Sequence, residues 1–194
     1  MSGGTARRTR TLRPVRTVRR VANEQADLRG VMGQFATGVT VLTAGGENGH
    51  GMTANAFTSL SLDPPLVLCC VARAARMHAA VLATGSFGVS ILAADQTDVA
   101  RHFADWRRPA GAAQFEPVDV REGRRTGAPL LNGALAWIEC ELATVHDGGD
   151  HSIFVGRVLA CGRGPAGAAL SFFGGGYHHI DQPGRAAART EDAS

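Results

Sequence analysis

Two stretches of this sequence share one form, an apolar run, a glycine-rich turn and a second apolar run. Val39–Thr43, Gly45-Gly46-Glu47-Asn48-Gly49 and Gly51-Met52-Thr53 make the first; Ala136–Val145, His146-Asp147-Gly148-Gly149-Asp150 and His151–Cys161 make the second. Runs rich in β-branched residues around such turns predict β-hairpins, and hairpins force antiparallel pairing. Leu66–Val71 follows Pro64-Pro65 as a continuous apolar run, and Phe87–Leu92 and Leu170–Phe173 read as further strands. Helical spacing of Leu28, Val31, Met32 and Phe35 predicts a helix over Asp27–Thr37, with two more over Ala74–Ala83 and Gln96–Phe103. The expectation is six or seven strands with two or three helices between them. Regular βα alternation is missing, so the pattern predicts a mostly β fold, an antiparallel barrel with short helical insertions, rather than a doubly wound sheet.

Charge divides the chain into parts. All twenty basic residues are arginine, and seven of them lie in residues 1–20, which hold no acid. The other thirteen arginines meet seventeen acids, so residues 21–194 carry a net charge of −4. A nucleic-acid-binding domain carries its basic surface on the fold, so nucleic acid is not an expected partner. Residues 1–24 read as a disordered arginine-rich tail, 25–181 as the folded domain and 182–194 as a second disordered tail. No apolar run approaches the roughly 18 residues that a membrane span needs, and no apolar segment follows the N-terminal arginines, so a cytoplasmic location and no membrane contact are expected.

Several familiar sites are excluded by context. The glycines of 45–51 are not followed by a helix, as a phosphate-binding loop requires, and the chain has no lysine. There is no CxxC or HExxH, and Cys69 and Cys70 fall on opposite faces of a strand, so no metal site is expected. What remains is a cluster of neutral hydrogen-bonding groups beside apolar strands: Thr53, Asn55, Thr58, Ser59 and Ser61. Such a cluster suits a flat, polar-edged ligand in an apolar cleft. It equally suits a loop that satisfies its own backbone.

The string Gly51-Met52-Thr53-Ala54-Asn55-Ala56-Phe57-Thr58-Ser59-Leu60-Ser61-Leu62-Asp63-Pro64-Pro65-Leu66-Val67 resembles the signature of the flavin reductase-like family. Phe35–Thr43, Gly85–Leu92, Gly127–Leu131, Asp150–Val158 and Leu170–Tyr177 resemble further blocks in that family's order, over about residues 28–181. The family consists of short-chain NAD(P)H:flavin oxidoreductases that supply reduced flavin to two-component monooxygenases. The resemblance implies an FMN-binding split barrel of Greek-key-like topology, FMN or FAD as flavin, NADH or NADPH as hydride donor, a homodimer, and a flavin-dependent monooxygenase as partner. A flavoprotein of the same fold that retains its FMN is the alternative.

The resemblance also implies residue roles. Thr53, Ala54 and Asn55 lie along the isoalloxazine, and Ser59 and Ser61 near the ribityl chain or phosphate. Cys70, Val71, Ala72 and Arg73, with Arg76, wrap the phosphate end. His151 sits where the nicotinamide stacks, as the catalytic-site residue, and Tyr177 closes the pocket or a subunit contact. Arginine forks match phosphate oxygens, and Arg76 opens a predicted helix. Cys70 and Cys140 read as packed thiols. The sequence departs from the family pattern twice. Ala72–Met77 offers two arginines and no hydroxyl where a Ser or Thr often holds the phosphate, which leaves room for FAD. Gln114-Phe115 stands where a basic residue often precedes the phenylalanine.

Overall fold

The structure, a computed structural model, describes residues 25–181 apart from Asn48; the expectations for 1–24 and 182–194 lie outside the described residues. The elements run α1 (Gln25–Met32), β1 (Thr37–Gly38), β2 (Thr40–Ala44), β3 (His50–Ala54), β4 (Phe57–Leu62), β5 (Pro65–Ala72), α2 (Arg76–Thr84), β6 (Ser86–Ile91), α3 (Thr97–Ala104), β7 (Val120–Glu122), β8 (Pro129–Leu131), β9 (Ala136–Gly148), β10 (His151–Arg163), β11 (Ala169–Phe173) and β12 (Gly176–Ile180). Short 3-10 turns occupy Ala94–Gln96 and Gly111–Phe115.

Both expected hairpins form. β2 pairs with β3 so that Thr40 faces Ala54, and β9 pairs with β10 from His151 opposite Gly148 to Arg163 opposite Ala136. The main sheet has seven antiparallel strands in the order β3-β2-β6-β9-β10-β5-β4. Its two outermost strands are consecutive in the chain, joined by Asn55 and Ala56 alone. One buried cluster takes Ala54 from β3, Leu42 from β2, Phe87 from β6, Cys140 from β9, Phe154 from β10 and Val67 and Cys69 from β5. Side chains from nearly opposite ends of the sheet meet only if the sheet rolls on itself. This is the expected barrel, and it stays split between β3 and β4.

Helix α2 inserts Met77 and Val81 into that core, and Gly85 ends it at φ +62°, its N–H bonded to the Val81 carbonyl. Rolling also demands close approaches between strands. At Gly156 on β10 a Cβ would lie 2.5 Å from the Phe87 ring, so the glycine is what lets Phe87 fill the barrel.

β2 is buried on both faces. Its outer face, with Val41 and the preceding Val39, packs against Ala100 and Phe103 of α3, Phe115 and Leu170. Gln114 is fully buried beside this second core, and its amide is fully used. Its Oε1 accepts from the Gly51 N–H, and its Nε2 donates to the carbonyls of Gly49 (2.9 Å) and Gly111 (2.8 Å). A neutral amide thus satisfies backbone groups of the first hairpin. Arg108 supplies a cation over it, donating to Gln114 Oε1 at 3.3 Å.

Three expectations change. The described residues contain twelve strands. Phe57–Leu62, which carries Thr58, Ser59 and Ser61 of the polar cluster, is strand β4: Phe57 packs on the core while Ser59, Leu60 and Leu62 stay exposed along a sheet rim. The first helix stops at Met32 rather than Thr37: Gly33 closes its last turn through the Arg29 carbonyl, and Thr37-Gly38 pairs with β11. The predicted apolar face of α1 is real but unpacked among the described residues, with Leu28 60% and Val31 56% exposed.

Candidate active site

Where the chain crosses the split from β3 to β4, through Asn55 and Ala56, lies a cleft of about 490 Å³. Thr37 and Gly38 of β1 form one wall; Asn55, Thr58 of β4, and Leu68 and Cys70 of β5 form the other. A second pocket of about 170 Å³ adjoins it, lined by Val39, Thr53, Ala54, Asn55, Phe172 and Tyr177. Asn55 lines both, so the two pockets meet at that residue. The floor at Gly38 is bare: a Cβ there would touch nothing within 4 Å, so a flat ring can approach the backbone.

Polar groups converge on these pockets. The Thr37 hydroxyl is buried and has no hydrogen-bond partner. Asn55 is exposed at the seam. A buried hydroxyl without a partner is costly, so Thr37 has a hydrogen bond still to gain. Antiparallel pairing explains how it gets there: Thr37 lies opposite Phe172 on β11, and Phe172 packs edge-on against Tyr177 with ring centroids 5.5 Å apart. Burial raises the Tyr177 phenol above its ordinary pKa, with Arg101 opposing the shift, so it is a neutral donor.

The residues singled out from the sequence are placed as follows. Thr53 lines the smaller pocket, but its hydroxyl donates to the Ala100 carbonyl at 2.6 Å. Ala54 lines it from the edge of the core, and its carbonyl accepts from Thr40 Oγ1 at 2.7 Å. Ser59 and Ser61 sit further along β4, flanking a register shift opposite Val67 and Leu66, outside the cleft lining. Cys70 is half-buried and lines the cleft, unlike the packed thiol expected, whereas Cys140 is buried. Cys69 faces the core, where burial and then the neighbouring thiols push it up to about 12. The Val71 side chain is wholly in the core, leaving its backbone for any contact with a ligand.

Ala72 pairs with His151 and Cys70 with Ile153. Ala72 therefore lies one pleat repeat, about 6.6 Å, beyond Cys70 on the same face, and His151 marks that end of the row. The His151 Nδ1 lies 2.8 Å from Asp150 Oδ1, and this bond is the main cause holding Asp150 below the usual carboxylate range.

The two arginines part company. Arg73 bonds Asp147 at 2.8 Å and the His151 carbonyl at 3.4 Å, so it ties the β9–β10 turn to the end of β5. Asp147 also accepts from the Gly149 N–H, which with Arg73 lowers its pKa. Arg76 instead acts electrostatically on His50 and Arg108, at the end of β3 away from Asn55. His50 is 8% exposed, and its Nε2 lies 3.0 Å from Arg108 Nη2. A guanidinium only donates, so His50 accepts and is neutral. Burial first, then Arg108 and Arg76, lower its pKa to about 4.

Sequence reasoning missed Thr37, Gly38 and Phe172. Thr37 was assigned to a helix; the glycine after it was the signal that the chain had already turned extended.

Residues 32–181 match the model of the flavin reductase like domain. An NADH-dependent FAD reductase from Streptomyces globisporus is 49% identical over 157 residues, covering 81% of this chain and 86% of that protein. The reductase subunit HsaB of a flavin-dependent monooxygenase from Mycobacterium tuberculosis is 38% identical over 156 residues, with 79% and 81% covered. Among solved structures, BorF, the flavin reductase component of a bacterial two-component tryptophan halogenase, superposes with a TM-score of 0.78 at 52% identity, covering 81% of this chain and 98% of its own.

Proposed function

Because the chain belongs to the flavin reductase-like domain family, we propose that the seam cleft is where it reduces a flavin with NADH, releasing reduced flavin to a separate monooxygenase. The observation that carries the placement is a cleft lined by Thr37, the bare Gly38 and the exposed Asn55, with the Thr37 hydroxyl unpartnered.

These residues fit an isoalloxazine, which is flat, apolar in its body and lined with hydrogen-bonding atoms on one edge. Flavin and nicotinamide supply the redox chemistry when bound, the hydride passing from one ring to the other. The chain's work is placement. Thr37 Oγ1 and the Asn55 amide hold the polar edge, Gly38 and Leu68 bracket the ring, and Tyr177 with Phe172 closes the smaller pocket. His151, steadied by Asp150 on Nδ1, borders the nicotinamide position. Alignment of two rings at contact distance is the main catalytic contribution open to such a site. Arg73 acts by fixing the turn that carries His151.

The reading includes a homodimer. The exposed apolar face of α1, with Phe35 just beyond it on the cleft rim, is a surface a second copy would cover; light scattering that reports a monomer of 20.2 kDa would remove this part. It also includes a cytoplasmic location, where reduced nicotinamide is generated.

Anaerobic stopped-flow absorbance tests the whole. NADH should bleach the flavin band near ~450 nm with saturation in both reactants, and FAD against FMN and NADH against NADPH give the preferences. Asn55→Ala should raise the flavin KM about fivefold, the worth of roughly one hydrogen bond. Absence of bleaching with either nucleotide would sink the reductase reading, and tight flavin retention through purification would move it toward a retained-flavin enzyme.

A further inference from the structure

Far from the seam cleft, the β7–β8 hairpin folds over the outer face of β9 and encloses a second cleft of about 350 Å³, sharing no residue with the first. Arg121, Arg124 and Arg125 line it, with Trp137 and Glu139 of β9 and Glu122. The wall is built in layers. Trp137 lies on Gly162 of β10, where a Cβ would come within 2.7 Å of the indole. The Arg121 guanidinium lies 4.8 Å from the centre of that ring.

Arg121 differs from a solvated surface arginine in one respect. Its Nη1 is buried and has no hydrogen-bond partner. Nor does an ion pair join any of the three guanidiniums to a carboxylate among the described residues. The nearby buried carboxylate is otherwise engaged: Glu139 Oε2 accepts from the Arg125 N–H (2.8 Å), the Thr126 N–H (2.8 Å) and Thr126 Oγ1 (2.9 Å), capping the turn between β7 and β8. The cleft thus holds three guanidiniums, that of Arg121 over an indole and those of Arg124 and Arg125 on exposed positions, against two carboxylates, one of them spent on the backbone. A buried N–H without an acceptor is unfavourable, and an oxyanion is the acceptor that a guanidinium fork matches.

We propose that this cleft is a second ligand site, separate from the flavin site, which takes the phosphate group of a small phosphate ester. Arg121, its guanidinium over the Trp137 ring, meets the oxygens, and Arg124 and Arg125 close on them from the turn. The cavity is larger than a bare phosphate fills, which leaves room for the body of the ester.

The chain has two tryptophans, and Trp106 is 78% exposed on the α3 side, so a Trp106→Phe protein reports on Trp137 alone. Its emission is followed while inorganic phosphate, and then glycerol 3-phosphate, replaces chloride at constant ionic strength. The expected result is a saturable change, tighter for the ester, unaffected by saturating FAD and weakened about tenfold or more in Arg121→Met. Arg124→Gln with Arg125→Gln, both exposed positions, repeats the test where Arg121→Met fails to fold. A response that chloride reproduces, that persists in these variants, or that FAD abolishes would overturn the proposal. Stopped-flow reduction measured on the same protein reports the flavin reading independently.

Discussion

Thr37 is buried without a partner, and that state has opposite consequences for stability and for binding. Thr37→Val keeps the shape and removes the orphaned hydroxyl, so the melting temperature should hold or rise while the flavin KM rises severalfold. A fall in both stability and affinity would mean the hydroxyl serves the fold. The sequence pointed to Thr53, whose hydroxyl is already bonded to α3, and passed over Thr37. That is a limit of local reading: what frees or engages a hydroxyl lies across the fold, 47 residues away for Thr53. His50 carries a second prediction. Its folded pKa of about 4 lies below the ordinary histidine value of 6.5, so the unfolded chain binds more protons between those pH values. Stability therefore falls as pH drops through that window and is fully present above it, by an upper bound of about 3 kcal/mol. Urea unfolding at pH 7 and pH 4.5 should show a smaller difference in His50→Asn; an equal difference in both proteins would show that His50 is not responsible.

Among the elements, the strands with a buried face were legible and those on rims were not. Val39–Thr43 and Phe87–Leu92 announce themselves because both faces, or a continuous run, are apolar. β4 mixes hydroxyls with leucines that both stay exposed, and an edge strand of that composition reads as loop. The resemblance implies a phosphate role for Arg73; its partner Asp147 lies 74 residues on, where no spacing rule reaches. The turn between β9 and β10 is accordingly a fixed element, stitched at Asp147 and at the His151 carbonyl. Crowding within the barrel yields a sharper expectation. Gly156→Ala places a methyl 2.5 Å from the Phe87 ring and 2.9 Å from Cys140 Cβ, both in the core. Phe87 is 1% exposed and has no space to yield, so the variant should lose about 1–3 kcal/mol in chemical denaturation. An unchanged midpoint would mean that β10 shifts outward freely.

For the molecule as a whole, hairpins implied an antiparallel barrel, and the resemblance named its kind; neither showed where the barrel fails to close. That follows from strand order alone. β3 and β4 are neighbours in the chain yet lie at opposite ends of the sheet, so each keeps an outer edge that no strand of this chain covers among the described residues. A ligand seated in the seam lies beside amides and carbonyls that the sheet leaves unshared, and it links the sheet's first strand to its last. Deuterium uptake by the backbone of β3 and β4 should slow when flavin is added and recover once reduced flavin departs. Uptake that ignores flavin would place the ligand elsewhere. The barrel behaves as a hoop with one gap and its substrate as the clasp, so each turnover fastens the hoop and releases it.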